Sequence, residues 1–129
     1  MSVEKVLNPH FEITAKVNYH ESESKPESHF YFFSYQITII NKSSMPAQLM
    51  SRHWIITDGN GKVEEVRGAG VVGVQPKIQP GQSYTYESAC PLSTLSGSMR
   101  GFYQFVGKQG QSFEIEIPEF FLIAPSALH

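Results

Sequence analysis

The clearest pattern in the chain is a strict alternation of apolar and polar side chains. Phe11-Glu12-Ile13-Thr14-Ala15-Lys16-Val17-Asn18-Tyr19 keeps a period of two without a break, the repeat of a strand with one buried face. Its inward set is Phe11, Ile13, Ala15, Val17 and Tyr19. The segment from Phe30 to Asn41 is the strongest β pattern, aromatic and β-branched, with Tyr31, Phe33, Tyr35, Ile37 and Ile39 on one face and Ser34, Gln36 and Thr38 on the other. Between them, His20 to His29 carries Glu, Ser and Lys-Pro and nothing apolar, and is expected as a loop with solvated acids.

After the turn cluster Asn41-Lys42-Ser43-Ser44-Met45-Pro46, a third strand runs from Ala47 to Asp58 around Leu49, Trp54, Ile55 and Ile56. Its alternation is poor, so its faces are not assigned. Asp58-Gly59-Asn60-Gly61 is a hairpin signal, because Asn and Gly tolerate the positive φ of tight turns, and Lys62 to Arg67 is the returning strand. Gln82 to Ser88 alternates again after the Pro80-Gly81 turn. Cys90 to Gly97 is expected as an irregular connection anchored by Leu92 and Leu95. Ser98 to Val106 is a strand with Met99, Phe102 or Tyr103, and Phe105 inward. Gly107 to Gly110 turns the chain and Ser112 to Ile117 pairs back, with Pro118 ending the pairing for want of an N–H. Phe120 to Ala124 is expected as an extended apolar tail on the edge.

No segment sustains a helical period. About seven short strands separated by turn signals every 8–12 residues or so describe an all-β, antiparallel two-sheet sandwich of the immunoglobulin or fibronectin type III kind, with a small barrel as the fallback. Trp54 on the third strand suits a sandwich core. At 129 residues the chain is expected to form one domain over its whole length, with the sandwich core at about residues 11–125.

Val66 to Gly81 interrupts this pattern with glycines and then prolines, and it contains a GxGxxG string, Gly68-Ala69-Gly70-Val71-Val72-Gly73. In a dinucleotide-binding unit such a string follows a strand and opens a helix whose N-terminus takes the pyrophosphate. Pro76 and Pro80 forbid that helix, since each interior proline costs about 3 kcal/mol. A kinase-type glycine loop fails because Gln75 stands where its valine belongs and no catalytic-loop motif follows. The expectation is a bulged or irregular crossing between the sheets, with Val71 and Val72 touching the core. A backbone nest for an anion is the competing reading.

Charge and cysteine content narrow the classes. Ten Lys and Arg against twelve Asp and Glu give a net charge of −2, and no cationic run offers the counterion release that nucleic-acid binding draws on. Cys90, the single cysteine, excludes an intrachain disulfide and multi-cysteine zinc patterns and fits a reducing, cytoplasmic setting. Met1 to Pro9 lacks the apolar core of a signal peptide, and no stretch reaches the roughly 18 apolar residues of a membrane span. His10, His20, His29 and His53 share no ligand spacing. Asp58 with Glu64 or Glu65 offers oxygens to a hard cation across the hairpin, but a solvated edge is preferred. Cys90 is expected to be a buried inert thiol, His53 being the one histidine raised as a partner for it, and no serine sits in a GxSxG elbow. Neither a cofactor nor a catalytic constellation is called for.

The separated blocks Arg52-His53-Trp54-Ile55-Ile56-Thr57-Asp58-Gly59, Gly68-Ala69-Gly70-Val71-Val72-Gly73-Val74-Gln75-Pro76, Pro80-Gly81 with Tyr84 or Tyr86, and Ser96-Gly97-Ser98-Met99-Arg100-Gly101-Phe102-Tyr103 resemble, in that order, the bacterial ApaG family. The resemblance spans about Phe11 to Pro125. It implies a fibronectin type III-like sandwich, a genetic association with cobalt resistance and magnesium efflux, and a gene neighbour encoding a diadenosine tetraphosphatase. Related domains in eukaryotic F-box proteins and a polymerase-interacting protein imply protein binding. The resulting expectation is a non-enzymatic binding module docking a protein partner through the glycine loop, with Arg67, Gly68, Gly70, Gly73, Lys77 and Arg100 as the candidate residues. The alternative is a regulator that takes a small phosphate-containing anion, such as pyrophosphate or a dinucleotide, or is linked to a divalent metal. Self-association through sheet edges is also expected, because few lysines guard Phe113 to Ile117.

Overall fold

A computed structural model describes residues 10–128. It is an antiparallel β-sandwich of eight strands: β1 (Phe11–Tyr19), β2 (Tyr31–Asn41), β3 (Ala47–Asp58), β4 (Val63–Ala69), β5 (Lys77–Ile78), β6 (Ser83–Leu92), β7 (Ser96–Gly107) and β8 (Ser112–Ile123). One sheet has the order β1-β2-β6, and the other β4-β3-β7-β8 with β5 also paired to β3. None of the described helical segments is long and apolar enough to cross a membrane.

The unbroken alternations fold as read. Phe33, Ile37 and Ile39 of the central strand β2 are fully buried against Leu49, Tyr103, Phe105 and Leu122 of the facing sheet. Trp54 is buried on the third strand between Tyr35, Tyr103 and Phe120, edge-on to each. Where Phe102 or Tyr103 was open, Tyr103 faces the core and Phe102 the outside. Asn41 is buried with every polar atom of its amide in use: Nδ2 donates to the carbonyls of Met45 and Ile78, and Oδ1 accepts from the amide and hydroxyl of Ser43. It ties the 41–46 turn to the end of β5, where the chain crosses between sheets.

Four expectations are corrected. The connection placed at Cys90 to Gly97 shrinks to residues 93–95, because β6 continues through Cys90, Pro91 and Leu92 opposite Phe33, Phe32 and Tyr31. Pro91 is tolerated there because β6 is an edge strand. Leu92 anchors as expected, whereas Leu95 is exposed. Pro118 does not end pairing: Met99 faces Phe120 and Gly101 faces Ile117, so Pro118 and Glu119 together oppose Arg100 in a β-bulge on an edge strand. The supposed tail is therefore the second half of β8, with Leu122 and Ala124 fully buried. Lastly, the glycine stretch does not cross between sheets, and of its two valines only Val71 reaches the core.

Candidate functional site

The glycine loop is an excursion from a sheet edge. β4 pairs with Ser51 to Thr57 of β3, and β5 pairs with Ala47 and Gln48 of the same strand. Between them residues 70–76 leave the edge, opposite a bulge in β3. Leu49 faces Phe105 and Ser51 faces Gln104, so Met50 is the extra residue. Its carbonyl accepts the amide of Gly70 at 2.8 Å and Nε2 of Gln75 at 2.9 Å. Beside it, the amide of Leu49 donates to the Pro76 carbonyl at 2.9 Å and Nε2 of Gln48 to the Gln75 carbonyl at 3.0 Å.

At the tip, Val71 and Val74 exchange both backbone hydrogen bonds, at 2.8 and 3.0 Å, around Val72 (φ 47°) and Gly73 (φ +77°). This is a two-residue turn with both central residues left-handed. Val71 is buried completely, while Val72 is 62% and Val74 46% exposed. Gly70 sits at φ +61°, and a Cβ there would lie 2.3 Å from the Val74 carbonyl oxygen. Gly68 has a different constraint: a Cβ would lie 2.8 Å from Nη1 of Arg52. The three glycines thus serve a loop start, an arginine contact and a tight turn. The amides of Gly70, Val71 and Val74 are all spent inside the protein.

Arg52 joins the loop to the interior. Its Nη1 donates to the carbonyls of Ala69 at 3.1 Å and Gly70 at 3.0 Å. Its charge also acts on Tyr35, Tyr86 and Tyr103, whose phenols burial pushes above the usual range and the nearby guanidinium opposes. The hydroxyls of Tyr86 and Tyr103 hydrogen-bond each other across the two sheets.

On the outer face of the larger sheet, Glu65 collects cations. Its Oε1 lies 2.7 Å from Nε2 of His53 and 3.2 Å from Nη2 of Arg67. The carboxyl is held below its ordinary range, first by the His53 hydrogen bond, with Arg67 and Arg100 adding charge. Arg52, His53, Arg67, Gly68, Phe102 and Glu114 are among the residues around a concavity of about 380 Å³. Of the candidate residues, Gly68, Gly70, Gly73 and Arg67 therefore belong to the loop region, and Arg100 joins it through Glu65. Lys77 flanks the loop's far end, paired with Gln48, and lies away from Arg100: Gln48 is seven positions along β3 from the Ile55 that faces Arg100, about 20 Å at strand rise. Arg52 was not among the candidates. The signal for it is its two-residue spacing from the buried Trp54, which gives it the inward phase.

Other chemistry is dispersed. Asp58 caps its own turn, accepting from the amides of Asn60 and Lys62, while Glu64 and Glu65 occupy successive positions of β4 and so opposite faces. Among the described residues no group of three or more His, Cys, Asp or Glu is arranged to hold a metal ion. Cys90 is buried on the inner face of the smaller sheet, away from His53 on the outer face of the larger, and burial pushes its thiol up to about 11. Nε2 of His20 lies 2.6 Å from Oγ of Ser34, and its Nδ1 lies 3.8 Å from Glu23. That order of groups matches a hydrolytic relay, but Ser34 is buried on a strand paired on both sides, which leaves no pair of amides for an oxyanion.

The ApaG domain family model matches residues 21–107. The chain is 64% identical over 127 residues to Protein ApaG of Bdellovibrio bacteriovorus, covering 98% of this chain and 100% of the relative. It is 58% identical over 107 residues to Protein ApaG of Dechloromonas aromatica, covering 83% and 84%. A crystal structure described as an ApaA protein from Bordetella pertussis superposes with a TM-score of 0.86 at 48% identity, covering 89% of this chain and 94% of that one.

Proposed function

The chain belongs to the ApaG domain family, and from that premise we propose that it is a binding module with no catalytic step of its own. It docks a protein partner through the Val72-Gly73 tip and the adjoining outer face of β3, β4 and β7. The observation that carries this reading is Val72. A β-branched residue in the left-handed region costs roughly 1–2 kcal/mol, in a turn that favours Asn-Gly. Nothing in the fold returns that cost, because the side chain is 62% exposed. Strain kept at an exposed apolar loop tip is characteristic of recognition surfaces. Val72 and Val74 make the tip apolar and exposed, and the outer face of β3 and β4 carries the polar His53–Glu65–Arg67 cluster.

A partner engaged in divalent-cation transport would join this surface to the family's association with cobalt resistance and magnesium efflux. The module would then act on metal through that partner. The test is Val72→Asn, with Val63→Asn as a control at another exposed valine. Val72→Asn raises thermal stability while abolishing retention of a specific protein from native lysate, and Val63→Asn leaves retention intact. Equal retention by wild type and Val72→Asn would overturn the reading.

A further inference from the structure

Arg52 is fixed more firmly than its half-buried position requires. It stands opposite Gly68 on one side and Tyr103 on the other. Nη1 is tied to the carbonyls of Ala69 and Gly70, and the missing side chain of Gly68 leaves room for the guanidinium, since a Cβ there would lie 3.0 Å from both Cζ and Nη2. Among the described residues no carboxylate pairs with it: the cationic partners of the ion pairs are His20, Lys42, His53 and Arg67.

The rest of the guanidinium is open. Nε and Nη2 make no hydrogen bond among the described residues. They are not sealed away either, because the indole N–H of Trp54 is the one buried side-chain polar atom there without a partner. A planar fork anchored through one nitrogen, with an Nε–Nη2 edge left to solvent, matches the two oxygens of a carboxylate or phosphate. Arg52 and Gly68 border the outer-face concavity of about 380 Å³, but the cations that face into it, His53 and Arg67, are already paired with Glu65, so the unpaired guanidinium there is that of Arg52.

We propose that Arg52 is an anion receptor, taking one oxyanion of a small ligand, carboxylate or phosphate, on its free Nε–Nη2 edge. The glycine loop then holds the arginine by its carbonyls instead of holding the anion by its amides. The side chain of Arg52 has the inward phase of Trp54, apart from the loop tip and outer sheet face assigned to protein docking.

The test follows the Nε–Hε resonance of Arg52 and the amides of Ala69 and Gly70 by ¹⁵N-edited NMR. Wild-type protein is titrated with sodium pyrophosphate and, separately, with sodium glutarate, at ionic strength held constant with chloride. A saturable shift with either anion is expected, and the anion that saturates first identifies phosphate or carboxylate as the chemistry. Arg52→Lys keeps the charge but not the fork and weakens that binding at least tenfold, whereas Val63→Asn, at an exposed position outside the loop, leaves it unchanged. Arg52→Gln abolishes it, with spectral dispersion checking that the variant is folded. Shifts no larger than the chloride control for both anions, or wild-type affinity in Arg52→Lys, would overturn the proposal.

Discussion

The bulge at Met50 on β3 and the bulge at Pro118-Glu119 on β8 insert one residue each into the same sheet, yet they do different work. Both absorb a slip of phase. Leu49 faces inward, and so does Trp54; Ile117 faces inward, and so does Phe120, in each case an odd number of residues apart. A strict period of two would have expelled one partner of each pair. On interior β3, the freed Met50 carbonyl becomes the anchor for the glycine loop. On edge strand β8, the bulge carries a proline and an exposed acid, features that interrupt an open ladder. One device thus builds a surface feature, and the other limits pairing at an edge.

Deleting each inserted residue is the most severe way to break this comparison. Neither deletion turns a side chain over: without Met50 the inward Leu49 adjoins the outward Ser51, and without Glu119 the run Ile117-Pro118-Phe120 alternates, so each strand becomes regular with its buried face kept. Without Met50 the glycine loop loses the carbonyl that accepts from Gly70 and Gln75, and leaving those donors without a partner costs on the order of 3 kcal/mol. Without Glu119 only an exposed residue of the edge strand is lost, and the cost is about 1 kcal/mol or less. Urea unfolding of the two deletion variants measures both, and equal losses would show that the bulges are equivalent.

Gly70→Ala is a milder perturbation, confined to the Met50 side. Its Cβ would overlap the Val74 carbonyl, and φ +61° is unfavourable for alanine. A loss of about 2 kcal/mol is expected, read as a lower urea midpoint. Faster hydrogen exchange should appear at the amides of Gly70, Val71 and Val74, with little change in β8. Increased exchange along β8 would mean that the two bulges are coupled through β7.

This contrast also explains what was legible in the sequence. β1 and β2 keep phase from end to end, and their faces could be read residue by residue. β3 and β8 could be recognised as strands, but their faces or extents could not, because nothing in Leu49-Met50-Ser51 or Ile117-Pro118-Glu119 announces which residue is inserted. The site was legible only in part. The glycines and Arg67 are adjacent in sequence and were readable, whereas Arg52 acquires its role from its pairing with Gly68 across the β3–β4 hairpin and from the carbonyls of Ala69 and Gly70. Lys77 was included for its sequence proximity to the glycines, and β5 carries it along the edge away from Arg100.

Pro118→Thr gives the smallest effect on stability and the sharpest test of what the β8 bulge does. The side chain is exposed and lies in the bulge, so stability should change by no more than about 0.5 kcal/mol. The restored N–H, however, offers β8 another donor for pairing with a second copy. Glu114, Glu116 and Glu119 oppose that pairing by like charge, and their repulsion fades when salt shortens the Debye length to about 3 Å at 1 M. Light scattering should therefore find wild type and Pro118→Thr alike at low salt and an increased mass for the variant alone at 1 M. If the variant's mass stays at the wild-type value in high salt, the bulge and strand twist block the edge without help from the proline. If wild type also associates there, the glutamates are the principal guard.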